Sequence, residues 1–337
     1  MLTSLIEPLR VILAYVESVI MFLAVLFGGG QAAPQIGDYP AQLNSTGIYD
    51  NRAQDALPQT AMHDIVTGHF ARQRDVAVSA TDGKAPKCLI IGYDGARADA
   101  LVNTKDDLKA ATQAVKADGG KIYNMYCGGD FPRRQKTVTC SGWTNLLTGH
   151  WAKEPGGTGH GISGNGIVKA PGTPNLLFNS LFDLELIGQA AFVVAWDEYW
   201  AYPGAVWYHD KAYAEEKGYN MHWLNQVYEG DGALCAAGLE QLRNPATDIV
   251  MVTLDACDYA GHGDGFGNYN PKYVEAFVAS EHYGYDLIQA VKARPTYAAE
   301  DWLIIVTTDH GGWRLGHGSQ FAVERQTFMA VNKDLGF

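Results

Sequence analysis

Three apolar runs, each ending on an aspartate, constrain this chain more than any other feature. Cys88-Leu89-Ile90-Ile91-Gly92-Tyr93 leads into Asp94. Ile249-Val250-Met251-Val252-Thr253-Leu254 leads into Asp255, with Asp258 just beyond, and Leu303-Ile304-Ile305-Val306-Thr307-Thr308 leads into Asp309-His310. A strand with one solvated face alternates polar and apolar residues, whereas an unbroken apolar run reads as a strand buried on both faces of a parallel sheet. Helical stretches separate the runs at Ala96 to Ala117, Pro174 to Leu184, Gly232 to Arg243 and Pro271 to Arg294. This alternation predicts an α/β fold, a mostly parallel central sheet with helices on both faces. The C-terminal ends of parallel strands share one edge, where ligands bind. Several carboxylates, and with them a metal site, are therefore expected along one functional edge.

The chain before Cys88 has a different texture. Val11 to Phe27 is apolar apart from Glu17, and Gly28-Gly29-Gly30 ends it. Its length is at the short limit of a membrane span, and it suits the apolar region of a secretory signal, with small residues at Gly30-Gln31-Ala32 for cleavage. Residues 1–33 are expected to be a signal peptide or membrane anchor, which would make the protein exported, extracellular or held at the cell surface. The plainer alternative is an amphipathic helix packed on the domain. Residues 34–84 read as a lead-in: Pro, Gly, Asn and Asp are frequent up to Pro58, one helix is expected at Ala61 to Arg72, and a polar linker runs on to Lys87. Residues 85–337 then form the main domain. The 37 acidic against 25 basic residues leave a formal charge of −12, with no basic run to offset it, which excludes duplex nucleic acid as a partner. Five cysteines without a C-x-x-C pair do not indicate a disulfide scaffold.

Histidines join the carboxylates at the strand ends. Asp258-Tyr259-Ala260-Gly261-His262 places a carboxylate and an imidazole four residues apart, and Asp309-His310-Gly311-Gly312 is followed closely by Gly316-His317-Gly318. Carboxylate oxygen with imidazole nitrogen suits zinc, and less specifically manganese or iron. Glycines here permit tight turns and close approach of backbone to a bound group. A single Asp-His pair is more often a turn or cap. Three such groups at strand ends together point to a metal site. His63, His69, His150, His209, His222 and His282 have no such setting and read as structural or exposed.

Between the first two groups, the segment from Thr137 to Gly149 (TVTCSGWTNLLTG) reads as a loop entering a short helix that Gly149 ends. A hydroxyl at a helix N-terminus sits among unpaired N–H groups that favour an alkoxide and an incoming anion. Thr137, Thr139 and Ser141 are all eligible nucleophiles, and the alternative is that one of them caps the helix. Further on, Trp196, Tyr199 and Trp200 belong to an aromatic-rich stretch that could stack on a base or aryl group of a substrate, or simply cover the sheet.

In sequence order, these motifs resemble the alkaline phosphatase superfamily, and within it the nucleotide pyrophosphatase/phosphodiesterase type, from about Lys87 to His317. Gly92-Tyr93-Asp94-Gly95-Ala96-Arg97 is similar to the first-strand motif whose Asp binds the second metal. The Leu-Leu-Thr-Gly ending at Gly149 is similar to the family helix and aligns Thr139 with the nucleophile. His160-Gly161-Ile162-Ser163-Gly164-Asn165 resembles the H-G-I segment, whose Asn helps hold the phosphoryl oxygen. The resemblance implies Asp258, His262 and His317 as ligands of one metal, and Asp94, Thr139, Asp309 and His310 as ligands of the other. The sequence departs from the type at Cys140-Ser141-Gly142, where x-Pro-Asn follows the family's Thr. It also lacks the C-x-P-x-R of sulfatases, so sulfate hydrolysis is not expected.

The resemblance thus implies a metal-dependent phosphodiesterase with an alkaline phosphatase-like catalytic domain. Two divalent ions, Zn2+ or else Mn2+, would serve two-step transfer of a small phosphate ester through Thr139, with Asn165 as a fixed donor. The alternatives are a phosphomonoesterase or phosphonate hydrolase of the same superfamily, a membrane-tethered headgroup transferase, whose turnover would depend on an acceptor, and a non-catalytic metal-binding module. A binding-only module has no reason to keep a nucleophile.

Overall fold

The computed structural model describes residues 56–71, 83–130, 134–152, 161–163, 166–168, 176–226 and 229–336. In chain order these hold β1 (Leu57–Pro58), α1 (Ala61–Ala71), β2 (Ala85–Tyr93), a 3-10 helix (Ala98–Thr104), α2 (Ala111–Ala117), β3 (Lys121–Tyr126) and α3 (Thr139–Thr148). The short pair β4 (Gly161–Ser163) and β5 (Gly166–Val168) follows, then α4 (Leu177–Asp183), β6 (Ala190–Val194), α5 (Tyr208–Lys217), β7 (Met221–Asn225), α6 (Asp231–Arg243) and β8 (Ile249–Leu254). Last come α7 (Ala256–Asp264), α8 (Pro271–Lys292), β9 (Glu300–Thr308), α9 (Ala322–Arg325) and β10 (Gln326–Val331). The expected apolar segment at Val11 to Phe27, His160 and Asn165 lie outside the described residues. Among the described residues no helix is long and apolar enough to cross a membrane.

One eight-stranded sheet runs in the order β1-β3-β10-β9-β2-β8-β6-β7, and its pairs are parallel except the two made by β10. The three apolar runs are its adjacent central strands β9, β2 and β8. Alternate residues of each feed two cores. Cys88, Ile90, Ile249, Met251, Leu303 and Ile305 face one side with α1, α3 and α4. Leu89, Ile91, Val250, Val252, Ile304 and Val306 face the other with α2, α6 and α8. The unbroken apolar pattern is thus the signature of a sheet covered on both faces, as expected.

The register matters more than the topology. Tyr93 pairs with Leu254 on one side and Thr308 on the other. The next residue on each of the three strands is therefore an aspartate: Asp94, Asp255 and Asp309 stand level at the C-terminal edge. Asp258 sits further on, in the first turn of α7.

Two expectations are corrected. The single helix expected at Ala96 to Ala117 is a 3-10 turn and a separate short α2. The amides just after Asp94 are already committed: Gly95 N donates to Asp309 Oδ1, Ala96 N to Thr308 Oγ1 and Arg97 N to the Tyr273 hydroxyl. Further along, Asp107 Oδ1 takes the Lys109 N–H in a local turn that competes with helix. The second correction concerns the lead-in. Its helix forms as expected, but Met62, Ile65, Val66 and Phe70 of α1 lie in the core, and β1 pairs with β3. The main domain therefore begins by Leu57 and not at residue 85. The longest helix, α8, has the start its sequence specifies: the Asn270 side chain accepts the Lys272 N–H, and Pro271 follows the cap.

Glu281 on α8 is fully buried and has no cationic partner among the described residues. Its Oε2 accepts from Thr112 N and Oγ1, at 3.0 and 2.8 Å, while Oε1 has no hydrogen-bond partner. Burial pushes its carboxyl up to about 7, against the lowering effect of the Thr112 bonds. A carboxyl raised in the folded state stabilises fully below its ordinary pKa near 4.5, and that stability is lost as pH rises through about 7. Glu281→Gln should therefore match wild type in denaturant midpoint near pH 4.5 and exceed it at pH 8. The difference should be on the order of 3 kcal/mol at most, and parallel pH profiles of the two proteins would refute this reading.

Candidate metal centre

Two ligand clusters form at the edge that the register creates. In the first, oxygens of Asp94 and Asp309 and a nitrogen of His310 lie within 4.8 Å of one another, and all three residues are buried. In the second, Asp258, His310 and His317 meet the same distance. His310 belongs to both. His262 closes the second cluster from the more exposed side, its Nε2 lying 3.3 Å from Asp258 Oδ2 and 3.1 Å from His317 Nε2. The structure thus brings together all six Asp and His residues that the sequence pointed to.

The backbone determines which nitrogen each histidine offers. Nδ1 of His310 lies 2.9 Å from the Gly311 carbonyl, Nδ1 of His317 3.0 Å from the Thr137 carbonyl, and Nδ1 of His262 3.0 Å from the Leu315 carbonyl. A carbonyl only accepts, so each Nδ1 must carry the proton and donate it. Each Nε2 then faces the cluster. Fixing the tautomer through one ring nitrogen is how proteins orient histidine ligands.

Asp309 Oδ1 accepts from Gly95 N at 3.1 Å and His310 N at 2.8 Å, leaving Oδ2 buried without a hydrogen bond. Asp258 Oδ1 is likewise buried and unpartnered. Burial, then the neighbouring carboxylates Asp309, Asp258 and Asp255, push the Asp94 carboxyl well above the usual range. Burial does the same to Asp309, reinforced by Asp258. Burial and His317 hold His310 down to about 3, so its contacts with Asp94 and Asp309 are not ion pairs. Asp258 goes the other way: burial would raise it, but the His262 hydrogen bond and the nearby His310 and His317 bring it below its ordinary value. Orphaned carboxylate oxygens converging with imidazole nitrogens are a donor set for divalent cations of the zinc type. The residues fit divalent ions of this kind.

Thr139 stands beside both clusters, as the first residue of α3. Its Oγ1 is 3.2 Å from His310 Nε2 and 3.4 Å from Asp94 Oδ1. The helix start carries Val138 at its cap position and no side-chain cap. Thr137 does something else. Its hydroxyl lies 2.7 Å from Glu324 Oε2 and 2.9 Å from the Ser319 carbonyl, with one proton to share between them, and accepts the Gly318 N–H, while its carbonyl holds His317. Ser141 Oγ is fully buried without a partner. Geometry therefore separates the three hydroxyls that composition alone left equivalent: Thr139 faces the cluster and Thr137 braces His317.

The motif glycines serve packing. A Cβ on Gly261 or Gly312 would collide with Phe266, a buried ring set edge-on against His262 and His317. A Cβ on Gly142 would strike the Asp309 backbone. These glycines let ligand-bearing segments close on one another, where the sequence reading expected approach to a bound group. Arg97 is also engaged, forked on Asp99 and donating to the Phe266 and Gly312 carbonyls. Tyr199 is fully buried and stacked on Trp207 at 4.8 Å, and Trp200 packs on Phe192 and Trp223 in the core. The rings of Tyr199 and Trp200 are thus covered, as in the alternative in which this stretch covers the sheet. Trp196 is only partly buried, at the edge of this group. Sequence reading missed Phe266, Glu324 and Trp143, whose indole N–H reaches Asp94 Oδ2 at 3.2 Å. Only Trp143 had a signal, one helical turn after Thr139.

By sequence, the chain matches no protein-family model and no curated protein. Its structure is similar to that of a 2-O GAG sulfatase, at TM-score 0.50 and 12% identity over 74% of this chain and 65% of the sulfatase. It also matches the Zn complex of the C-terminal periplasmic domain of EptC from Escherichia coli (TM-score 0.48, 13% identity, 75% and 74% covered). A third match is a protein in the alkaline phosphatase superfamily from Vibrio parahaemolyticus (TM-score 0.48, 11% identity, 88% and 71% covered). At such identities the likeness bears on fold alone. The chain shares the α/β fold of the sulfatase.

Metal loading should be visible in stability. Deprotonated ligands are required, so protons compete with the cation. Carboxyls raised by burial make the metal-free protein lose stability as pH rises above their ordinary range. Zn2+ at about a hundred times its dissociation constant should raise the melting midpoint by about 5 °C, and by more at pH 8 than at pH 5. Elemental analysis without chelator should find close to two ions per chain. Less than one ion, with no thermal shift on adding zinc or manganese, would count against the centre.

Proposed function

We propose that the protein is a metal-dependent hydrolase of phosphate esters, of the phosphodiesterase type, acting through Thr139. The observation that carries this reading is the position of the Thr139 hydroxyl, at the uncapped start of α3 and within 3.4 Å of ligand atoms of the buried cluster. Asp94, Asp309, His310 and Thr139 would hold one ion, and Asp258, His262 and His317 the other. Two divalent cations held there would acidify the nucleophile and neutralise charge on the attacking and departing oxygens. Three carboxylates against two dications leave about one positive charge, which suits an anionic substrate.

The chain's own part is orientation. Val138 precedes the helix without capping it, so the first-turn N–H groups have no side-chain cap and would be available to a phosphoryl group on Thr139. Thr139 Oγ forms a bond to phosphorus as the ester oxygen leaves, and the hydroxyl proton passes to solvent. Water then breaks the Thr139–phosphorus bond and restores the hydroxyl. Asn165 is assigned here as a neutral donor to a non-bridging oxygen. A monoester dianion usually needs an added cation, most often Arg. Arg97, the arginine nearest the Asp94 motif, is turned onto Asp99 and two carbonyls, which favours a diester. Export through residues 1–33 and a small-molecule ester as partner belong to the same proposal.

Two measurements test it. Thr139→Ala should lose at least about a thousandfold in turnover while still binding metal, on the scale of removing one member of a coupled set. Thr137→Ala should retain the nucleophile and lose chiefly metal affinity. On one metal-loaded preparation, kcat/KM for an aryl phosphodiester should exceed that for the matching monoester, with the sulfate ester far below both. A monoester tenfold better than the diester, about 1.4 kcal/mol in transition-state stabilisation, would make the protein a phosphatase instead.

A further inference from the structure

The two oxygens of Asp94 have different neighbours. Oδ1 faces the cluster, 3.4 Å from the Thr139 hydroxyl and 3.6 Å from His310 Nε2. Oδ2 accepts the indole N–H of Trp143 at 3.2 Å. Trp143 is fully buried and stands four residues after Thr139 on α3. Residues so spaced share a helix face, so one turn of α3 delivers both the hydroxyl and the indole to the same carboxylate. The indole ring also passes over β2: a Cβ on Gly92, two residues before Asp94, would collide with its six-membered ring. Glycine at that position in the strand is what lets the indole lie where its N–H meets Oδ2. The neighbouring turn of α3 is anchored as well, since Thr144 Oγ1 accepts the Trp207 indole N–H at 3.2 Å.

Resting on the two-metal reading above, we propose that Trp143 is a positioning residue that makes Asp94 a one-oxygen ligand. Its N–H occupies Oδ2 and leaves Oδ1 as the ligand atom. The same bond ties the ligand to the helix carrying Thr139, so that hydroxyl and ligand keep their spacing. Without the indole donor, Oδ2 is a buried carboxylate oxygen with no partner. The carboxylate is then drawn to turn both oxygens toward the cation, away from its alignment with Thr139. Groups that hydrogen-bond to metal ligands typically tune affinity or activity by about 10–100-fold.

The test uses the full chain and Zn2+ in competition with a chromophoric chelator. Trp143→Phe keeps an aromatic ring and deletes the donor. It should bind Zn2+ about tenfold or more weakly, whereas in an Asp94→Asn background the same substitution should change Zn2+ affinity by less than about twofold, because its route through Asp94 is gone. Should Trp143→Phe fail to fold, wild-type protein answers the question by NMR. Among its eight tryptophans, the Trp143 indole N–H resonance should shift on Zn2+ addition and saturate with metal uptake. Zn2+ uptake with an unchanged Trp143→Phe affinity, or with an unmoved Trp143 indole resonance, overturns the proposal alone. A wild-type chain that takes up no Zn2+ overturns the metal reading beneath it, and the proposal with it.

Discussion

The pairing of Tyr93 with both Leu254 and Thr308 sets the rest of the site, because it brings three aspartates level at the end of three adjacent strands. Oxygens of Asp94 and Asp309 lie no more than 4.8 Å apart. At an effective dielectric of about 20, two ionised carboxylates at that distance repel by about 3 kcal/mol. The surroundings answer this in three ways. Backbone amides of Gly95 and His310 bond Asp309, the Trp143 indole bonds Asp94, and a ring nitrogen of neutral His310 lies on the remaining side. Among the described residues, Asp255 Oδ1, Asp258 Oδ1 and Asp309 Oδ2 have no hydrogen-bond partner. Such an arrangement is a donor set that could hold a divalent cation.

The two halves of the centre differ in depth. Asp94, Asp309 and His310 are buried beneath α3, while Asp258 and His262 of α7 are partly exposed. Bracing follows the same division. The inner half is held by the sheet and by α3. The outer half depends on Phe266 against the His262 and His317 rings, the Leu315 carbonyl on His262, and the network joining Thr137, Ser319 and Glu324 behind His317. Arg97 belongs to this framework, since it ties the segment after Asp94 to the Phe266 and Gly312 carbonyls.

Much of this was legible in the sequence. The apolar runs predict buried parallel strands because a residue pattern without alternation leaves no solvent face. An aspartate directly after each run predicts shared placement at one edge. The Asp and His residues identified on that basis, and Thr139 from the family resemblance, lie together. The break after Ala96 was not legible, because the helix is prevented by amides bonded to Asp309, Thr308 and Tyr273, residues some two hundred positions away. Strands β3 and β10 were also unseen. KIYNMY and QTFMAV carry polar residues inside short apolar stretches and become strands through pairing with each other.

The sequence by itself therefore determined the class of fold, the edge on which chemistry would sit and the residue types available there. These follow from local pattern and composition, which act over a few residues. Tertiary structure alone decided which hydroxyl faces the ligands, which nitrogen each histidine presents and which glycines make room for Phe266. Each of those choices depends on a partner distant in the chain: Glu324 for Thr137, the Thr137 and Leu315 carbonyls for His317 and His262, and Phe266 for Gly312. A hydrogen bond or steric contact between such partners exists only once the sheet has aligned its strands, and so leaves no periodic trace in the sequence.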